Sequence, residues 1–218
     1  MINMQDQEEL FRLIADYMEK DIECTAIGGT AMMFHGYKAA TKDIDLVFKN
    51  REDRDIFVRA IEKLGYSQSS LRFVYDEKRR TSRNKPVIYS RGDERFDLFA
   101  KDVFGFEVEF GNFVQRHDYI GKKELIIFTA PKEYLIILKA ITNREKDYED
   151  IETIVKVEKD VDWNGIVELA IAKRKQVPWI LIDLEEKMRR LKKITFIKKE
   201  HFDQIYKAEE RATNKRKE

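Results

Sequence analysis

Asp43 and Asp45 stand two residues apart in the run Asp43-Ile44-Asp45-Leu46-Val47-Phe48. The run has the apolar bias and the alternation of a strand, in which residues i and i+2 point to one face. Both carboxylates therefore share a face, while Ile44 and Leu46 turn to the core side. Two ionised carboxylates so close repel unless a cation lies between them or one is protonated. A divalent metal such as Mg²⁺ resolves that conflict, since it prefers hard oxygen ligands and keeps room for substrate phosphates. Solvent-facing alternation produces the same spacing, so the pair alone does not choose between the two readings. The segment upstream does. Gly28 and Gly29 close the strand-like run Glu23–Ile27 and open a short apolar helix, a junction where backbone N–H groups approach a phosphate closely. Thr30 adds a hydroxyl there. A phosphate cradle one short helix away from a metal-binding carboxylate pair describes a site for a metal-bound nucleoside triphosphate.

The stretch GGTAMMFHGYKAATKDIDLVF, from Gly28 to Phe48, resembles the signature of the nucleotidyltransferase (polymerase-β-like) superfamily: a glycine pair, a short helix, then a Thr-x-Asp-x-Asp strand. More narrowly, it is similar to the small prokaryotic group that includes abortive-infection-type toxins of toxin–antitoxin systems. The resemblance implies an α+β fold with a mixed sheet flanked by helices. It gives Gly28, Gly29 and Thr30 the triphosphate, and Asp43 and Asp45 the metal. It also implies a third carboxylate from a neighbouring strand, for which ERFDLFA offers Asp97 between Phe96 and Leu98. The rival is the pair Glu107 and Glu109 in FGFEVEF, which reads as a solvent-facing strand.

A second stretch, TAPKEYLIILKAITNREKDYEDI, resembles the group's pattern of a Pro-started helix carrying a lysine, followed by Arg and Lys-Asp. It assigns Lys139 as a phosphate-facing cation and Asp147 as a polar anchor or active-site partner, with similar claims for Arg144 and Asp150. Read as residues alone, Lys139 snorkels from a core helix and Asp147 caps the following one. The implied activity is Mg²⁺- or Mn²⁺-dependent transfer of a nucleoside monophosphate from a nucleoside triphosphate to an acceptor hydroxyl. RNA such as tRNA ranks first as acceptor, and an antitoxin protein is the implied partner. One departure favours an alternative, a nucleotide-binding protein with weak or no turnover. Where the group has Gly-Tyr-Pro-Arg-Ala-Thr, this chain has Lys38 and Ala39 at the proline and arginine positions.

The elements that must position these residues follow from periodicity. Leu10, Phe11, Ile14, Tyr17 and Met18 recur at helical spacing, which predicts a helix over Gln5–Lys20. A short strand precedes Gly28, and a helix over Arg51–Leu64 follows the aspartate strand and stops at Gly65. Strand-like runs then come at PVIYS, RFDLFA, FGFEVEF and ELIIFTA, with LRFVYDE as a further candidate. The remainder, from the Pro131 helix onward, reads as helical and ends in a frayed charged tail. The expected organisation is a site-bearing core over 1–130 and a helical region over 131–218 that completes the site and packs on the core.

Other chemistries fit poorly. His35, His117 and His201 have no metal-ligand spacing, and His35 reads as a packed residue in an apolar helix. Cys24 is the only cysteine, so neither a disulfide nor a cysteine metal cluster is available within the chain. No Gly-x-x-x-x-Gly-Lys-Ser/Thr loop is present. Basic and acidic residues, 42 against 41, nearly cancel, so overall charge demands no nucleic-acid or membrane partner. The basic run Glu77–Lys85 reads as a solvated loop or a local contact for a nucleic-acid backbone. No apolar run approaches the roughly 18–20 residues of a membrane span, and the polar start MINMQDQEEL is unlike a signal peptide. A cytoplasmic protein is expected.

Overall fold

A computed structural model describes residues 1–69, 85–110, 113, 115–142 and 144–214, the side chains of 212–214 excepted. The stretch LRFVYDE and most of the basic run that follows it lie outside the described residues. Strand β1 (Ile2–Asn3) leads into helix α1 (Met4–Tyr17), which opens with a capping box: Asn3 accepts from the Asp6 N–H, and Asp6 accepts from the Asn3 N–H. Its buried stripe is Leu10, Phe11 and Ile14. The helix ends at Tyr17, earlier than periodicity predicts; Tyr17 is exposed, while Met18, already in extended backbone, is buried.

Strand β2 (Ile22–Ala26), helix α2 (Gly28–Phe34), strand β3 (Ala40–Thr41), strand β4 (Asp43–Phe48) and helix α3 (Arg51–Lys63) follow. Asn50 caps α3 by accepting from the Asp53 N–H at 2.8 Å. The sheet continues with β5 (Ser67–Gln68), β6 (Val87–Arg91), β7 (Glu94–Ala100), β8 (Asp102–Val103), β9 (Phe106–Glu107), β10 (Gln115–Ile120) and β11 (Glu124–Thr129). Among the described residues the strand order is β10-β11-β2-β4-β7-β6-β5, with β8 paired to β7 and β9 to β8, while β1 and β3 form a separate ribbon. The sheet is mixed: β11 runs parallel to β2 and β4 parallel to β7, and the other pairs are antiparallel.

Alternation divides the sheet into two faces. Ile44, Leu46, Phe48, Phe96 and Leu98 are fully buried on one of them. Helix α3 covers that face, with Phe57 seated 5.3 Å from Phe48 and 5.6 Å from Phe96 between ring centroids. Helix α1 covers its other end, where Phe11 meets Tyr119 of β10 at 5.2 Å. The opposite face carries Asp43 and Asp45.

One expectation about strands is corrected here, and one strand is added. FGFEVEF does not form one strand: only Phe106 and Glu107 pair, because Lys101 and Phe104 adopt positive φ and turn the chain back on Asp102. Strand β10 is an addition, with Arg116 and Asp118 alternating against buried Tyr119.

The chain divides into two compact units, Met1–Pro131 and Lys132–Glu218. Within the second lie α4 (Lys132–Thr142), α5 (Glu145–Val157), α6 (Trp163–Lys173), α7 (Ile180–Leu191) and α8 (Lys199–Asn214). Every residue from Leu135 to Ile141 is buried, so α4 is the central helix of that unit, packed by α5, α6 and α7. Helix α8 runs through Arg211–Asn214, where the composition suggests a frayed tail. No helix among the described residues is long and apolar enough to cross a membrane.

Candidate functional site

Register brings the acidic residues together. On the parallel pair β4 and β7, Asp45 is the partner of Asp97 and Asp43 is the partner of Arg95. Partners in register point to the same face, and neighbouring strands lie about 4.8 Å apart. Three carboxylates and one guanidinium therefore occupy a single patch on the face opposite α3. Asp43 and Asp45 are half-buried, and Asp97 is buried. Glu107, the rival for the third position, is exposed on β9 and pairs with Asp102, while Glu109 lies beyond that strand.

The glycine turn is fastened to the same patch. The Ile27 N–H donates to the Asp45 carbonyl at 3.1 Å, the Gly29 N–H donates to Asp45 Oδ2 at 3.1 Å, and the Asp45 N–H donates to Thr30 Oγ1 at 2.9 Å. Gly28 has a φ of +53°, and a Cβ there would fall 2.2 Å from Asp45 Oδ2. A Cβ on Gly29 would fall 2.2 Å from Thr41 Oγ1, which itself donates to the Asp43 carbonyl at 3.1 Å. Gly28 is thus set by its positive φ and its close approach to Asp45, and Gly29 by its close approach to Thr41. Thr30 is fully buried and supports Asp45 from beneath.

Arg95 is the residue that sequence reasoning missed. Its Nε donates to Asp97 Oδ1 at 2.6 Å and its Nη2 to Asp97 Oδ2 at 2.5 Å, while Nε lies 3.7 Å from Asp43 Oδ1. The signal was present in ERFDLF, where Arg95 and Asp97 have the same two-residue spacing as Asp43 and Asp45. An arginine beside an acid on a strand reads as ordinary surface pairing until the register is known.

The donor set has the chemistry of a hard-cation site: oxygen ligands only, three of them carboxylates, already gathered around a positive group. Among the described residues, however, no three His, Cys, Asp or Glu side chains converge closely enough to hold an ion as they stand. Arg95 engages both oxygens of Asp97 in this arrangement, while the three carboxylates are the oxygen donors that a hard dication prefers.

His35 is packed as expected, with its Nε2 2.9 Å from the Ala130 carbonyl oxygen and its ring stacked on Tyr37. Burial holds the His117 imidazole below its ordinary pKa and pushes the Cys24 thiol up.

In the second unit, Lys139 is buried. Its Nζ donates to Asp150 Oδ2 at 2.5 Å and lies 3.5 Å from Asp147 Oδ1. Asp147 sits in the first turn of α5, one turn past the cap position that its sequence context suggests. It accepts from Arg144 Nε at 2.6 Å and lies in hydrogen-bonding contact with the Thr142 hydroxyl. Burial alone would raise the Asp147 pKa, but Arg144, Lys139 and Thr142 together hold it below the ordinary carboxylate value. These residues form one cluster joining α4 to α5.

A family model described as "Nucleotidyltransferase of unknown function (DUF6036)" matches residues 5–207. No curated protein matches the chain. Among solved structures, that of ANT(2″)-Ia in complex with adenylyl-2″-tobramycin aligns at 16% identity and a TM-score of 0.46, over 78% of this chain and 97% of that one.

Proposed function

The chain belongs to this family of nucleotidyltransferases of unknown function, and from that premise we propose that it transfers a nucleoside monophosphate from a nucleoside triphosphate to an acceptor hydroxyl. One observation carries the reading: Asp43, Asp45 and Asp97 share a single patch, to which the Gly28-Gly29 turn is bonded.

In the proposed reaction the acceptor oxygen attacks the α-phosphorus, a new O–P bond forms, and the bond to pyrophosphate breaks. Asp43, Asp45 and Asp97 would hold the divalent metal, Mg²⁺ or Mn²⁺. Bound there, the metal supplies positive charge to the triphosphate and lowers the pKa of the attacking hydroxyl. Gly28 and Gly29 form the turn against which the phosphates are placed, and Thr30 fixes Asp45 beneath them. Asp97, once released from Arg95, would take the hydroxyl proton. Catalysis is then mostly positioning and electrostatics, as phosphoryl transfer requires.

For the acceptor, RNA such as tRNA is proposed first, in the setting of a cytoplasmic toxin with an antitoxin protein as its partner. Lys139 and Asp147 are proposed as further nucleotide-binding residues. A second reading, a nucleotide-binding protein of weak turnover, is favoured by two observations: Arg95 engages both oxygens of Asp97, and Ala39 stands where the related signature has arginine.

The test incubates the protein with Mg²⁺ or Mn²⁺, each labelled nucleoside triphosphate, and either total RNA or the protein alone. Label transfer should fall by about two to three orders of magnitude in Asp45→Asn, the scale of loss for one electrostatic group acting on the transition state. Nucleotide binding without transfer to any acceptor would favour the second reading. An absence of metal-dependent nucleotide binding would sink both.

A further inference from the structure

We propose that Arg95 is a resident counter-cation of the carboxylate site, which holds Asp97 until metal and nucleotide arrive together and displace it. The inference rests on the nucleotidyltransferase reading of the site and adds a positioning residue to it.

Asp43, Asp45 and Asp97 occupy three positions of one register square on two adjacent strands, and Arg95 occupies the fourth. Asp97 is the most deeply placed of the three, with its side chain 6% exposed. A buried carboxylate without a partner is strongly destabilising, so the metal-free protein needs a cation at that point. Arg95 provides it through the paired geometry that makes guanidinium–carboxylate contacts strong, two N–H donors on two oxygens.

The same contact places a constraint on function. Both Asp97 oxygens face the guanidinium, so Asp97 becomes a ligand or a base only after Arg95 moves. The structure allows that movement. The Arg95 side chain is 26% exposed, and its approach to Asp43 is long, at 3.7 Å. A released guanidinium finds a new anionic partner in the bound triphosphate, whereas free metal offers it none. Metal alone must therefore compete with Arg95 for Asp97, and metal that enters with nucleotide need not. The device favours an ordered site that stays closed to free dications.

The experiment measures Mn²⁺ binding by electron paramagnetic resonance on the full chain, with and without a non-hydrolysable triphosphate analogue. Wild type is compared with Arg95→Gln and Arg95→Lys, and thermal melts in chelator are recorded for each. Removing one positive charge a few ångströms from the ion should tighten free Mn²⁺ binding by about tenfold or more in Arg95→Gln. The same variant should melt lower in chelator and recover on adding Mn²⁺. Its advantage over wild type should shrink when the analogue is present. Arg95→Lys keeps the charge but loses the paired contact, so it should bind free Mn²⁺ a fewfold more tightly than wild type. It decides the matter if Arg95→Gln does not fold.

Free Mn²⁺ binding that is equal or weaker in the folded variants would overturn the inference and make Arg95 a permanent strut, leaving the nucleotidyltransferase reading intact. If none of the proteins binds Mn²⁺ even with the analogue, that parent reading fails and takes the inference with it.

Discussion

Asp45 pressed against Gly28 and Thr41 against Gly29 leave no room for a methyl group, and the two positions should respond differently. In Gly28→Ala the new Cβ meets the Asp45 carboxylate, and the residue must hold a left-handed φ, which costs about 1–2 kcal/mol on its own. Chemical denaturation should show at least that loss, and transfer activity should collapse because Asp45 is displaced. In Gly29→Ala the new Cβ meets the Thr41 hydroxyl and Cβ, but the residue does not have to hold a left-handed φ. Stability should fall less than in Gly28→Ala, with part of the activity retained. Cys24 offers a check on the core. It is fully buried and its thiol pKa is pushed up, so a thiol reagent should leave it unmodified until the protein is unfolded. At this scale Asp43 and Asp45 were legible because a period of two assigns both to one face without tertiary knowledge. Arg95 was not legible, because its meaning depends on lying across from Asp43 in a parallel pair that forms only after chain reversal.

Between elements, the clearest case is the α4–α5 junction. The stretch from Pro131 onward reads as helical, and α4, with a continuous apolar run, and α5, with a polar start, form within it. Strand β10 escaped because Arg116, Asp118 and the turn residues around it look like surface loop until β11 is there to pair with them. The polar cluster of the second unit was half-read: its residues were singled out, but not their mutual neutralisation. Two predictions follow from that neutralisation. Asp147 has a depressed pKa in the folded protein, so its contribution is complete above the ordinary aspartate value near 3.8 and is lost as pH falls through the lower, folded value. Melting temperatures measured from pH 6 downward should show an acid-side decline that is shallower in Asp147→Asn. Lys139→Met leaves two buried aspartates facing one another and should cost about 3–5 kcal/mol in denaturant titrations. Adding Asp150→Asn should restore part of that stability. Nucleotide affinity of this double variant then separates the two roles, since unchanged affinity would remove Lys139 from the nucleotide site.

Across the whole molecule, 42 basic residues against 41 acidic ones leave a formal charge of +1, so no global field draws a polyanion to the protein. An RNA acceptor would have to be held by a few local cations. Each phosphate contact on a single strand contributes a slope of about −0.7 in log affinity against log salt. An interface of about three contacts therefore loses roughly twentyfold in affinity between about 50 and 200 mM salt, far less than a strongly basic protein would. Transfer to an uncharged small acceptor or to a hydroxyl of the protein itself releases no such counterions and should change little over that range. Measuring label transfer to RNA and to the protein in parallel at several salt concentrations, with nucleotide saturating throughout, isolates the acceptor's contribution. A fall confined to the RNA reaction supports RNA as the acceptor. Transfer that is equally insensitive to salt in both reactions removes the phosphate backbone from the interface. The acceptor would then have to be sought among uncharged hydroxyls, and the toxin-like role that depends on RNA would go with it.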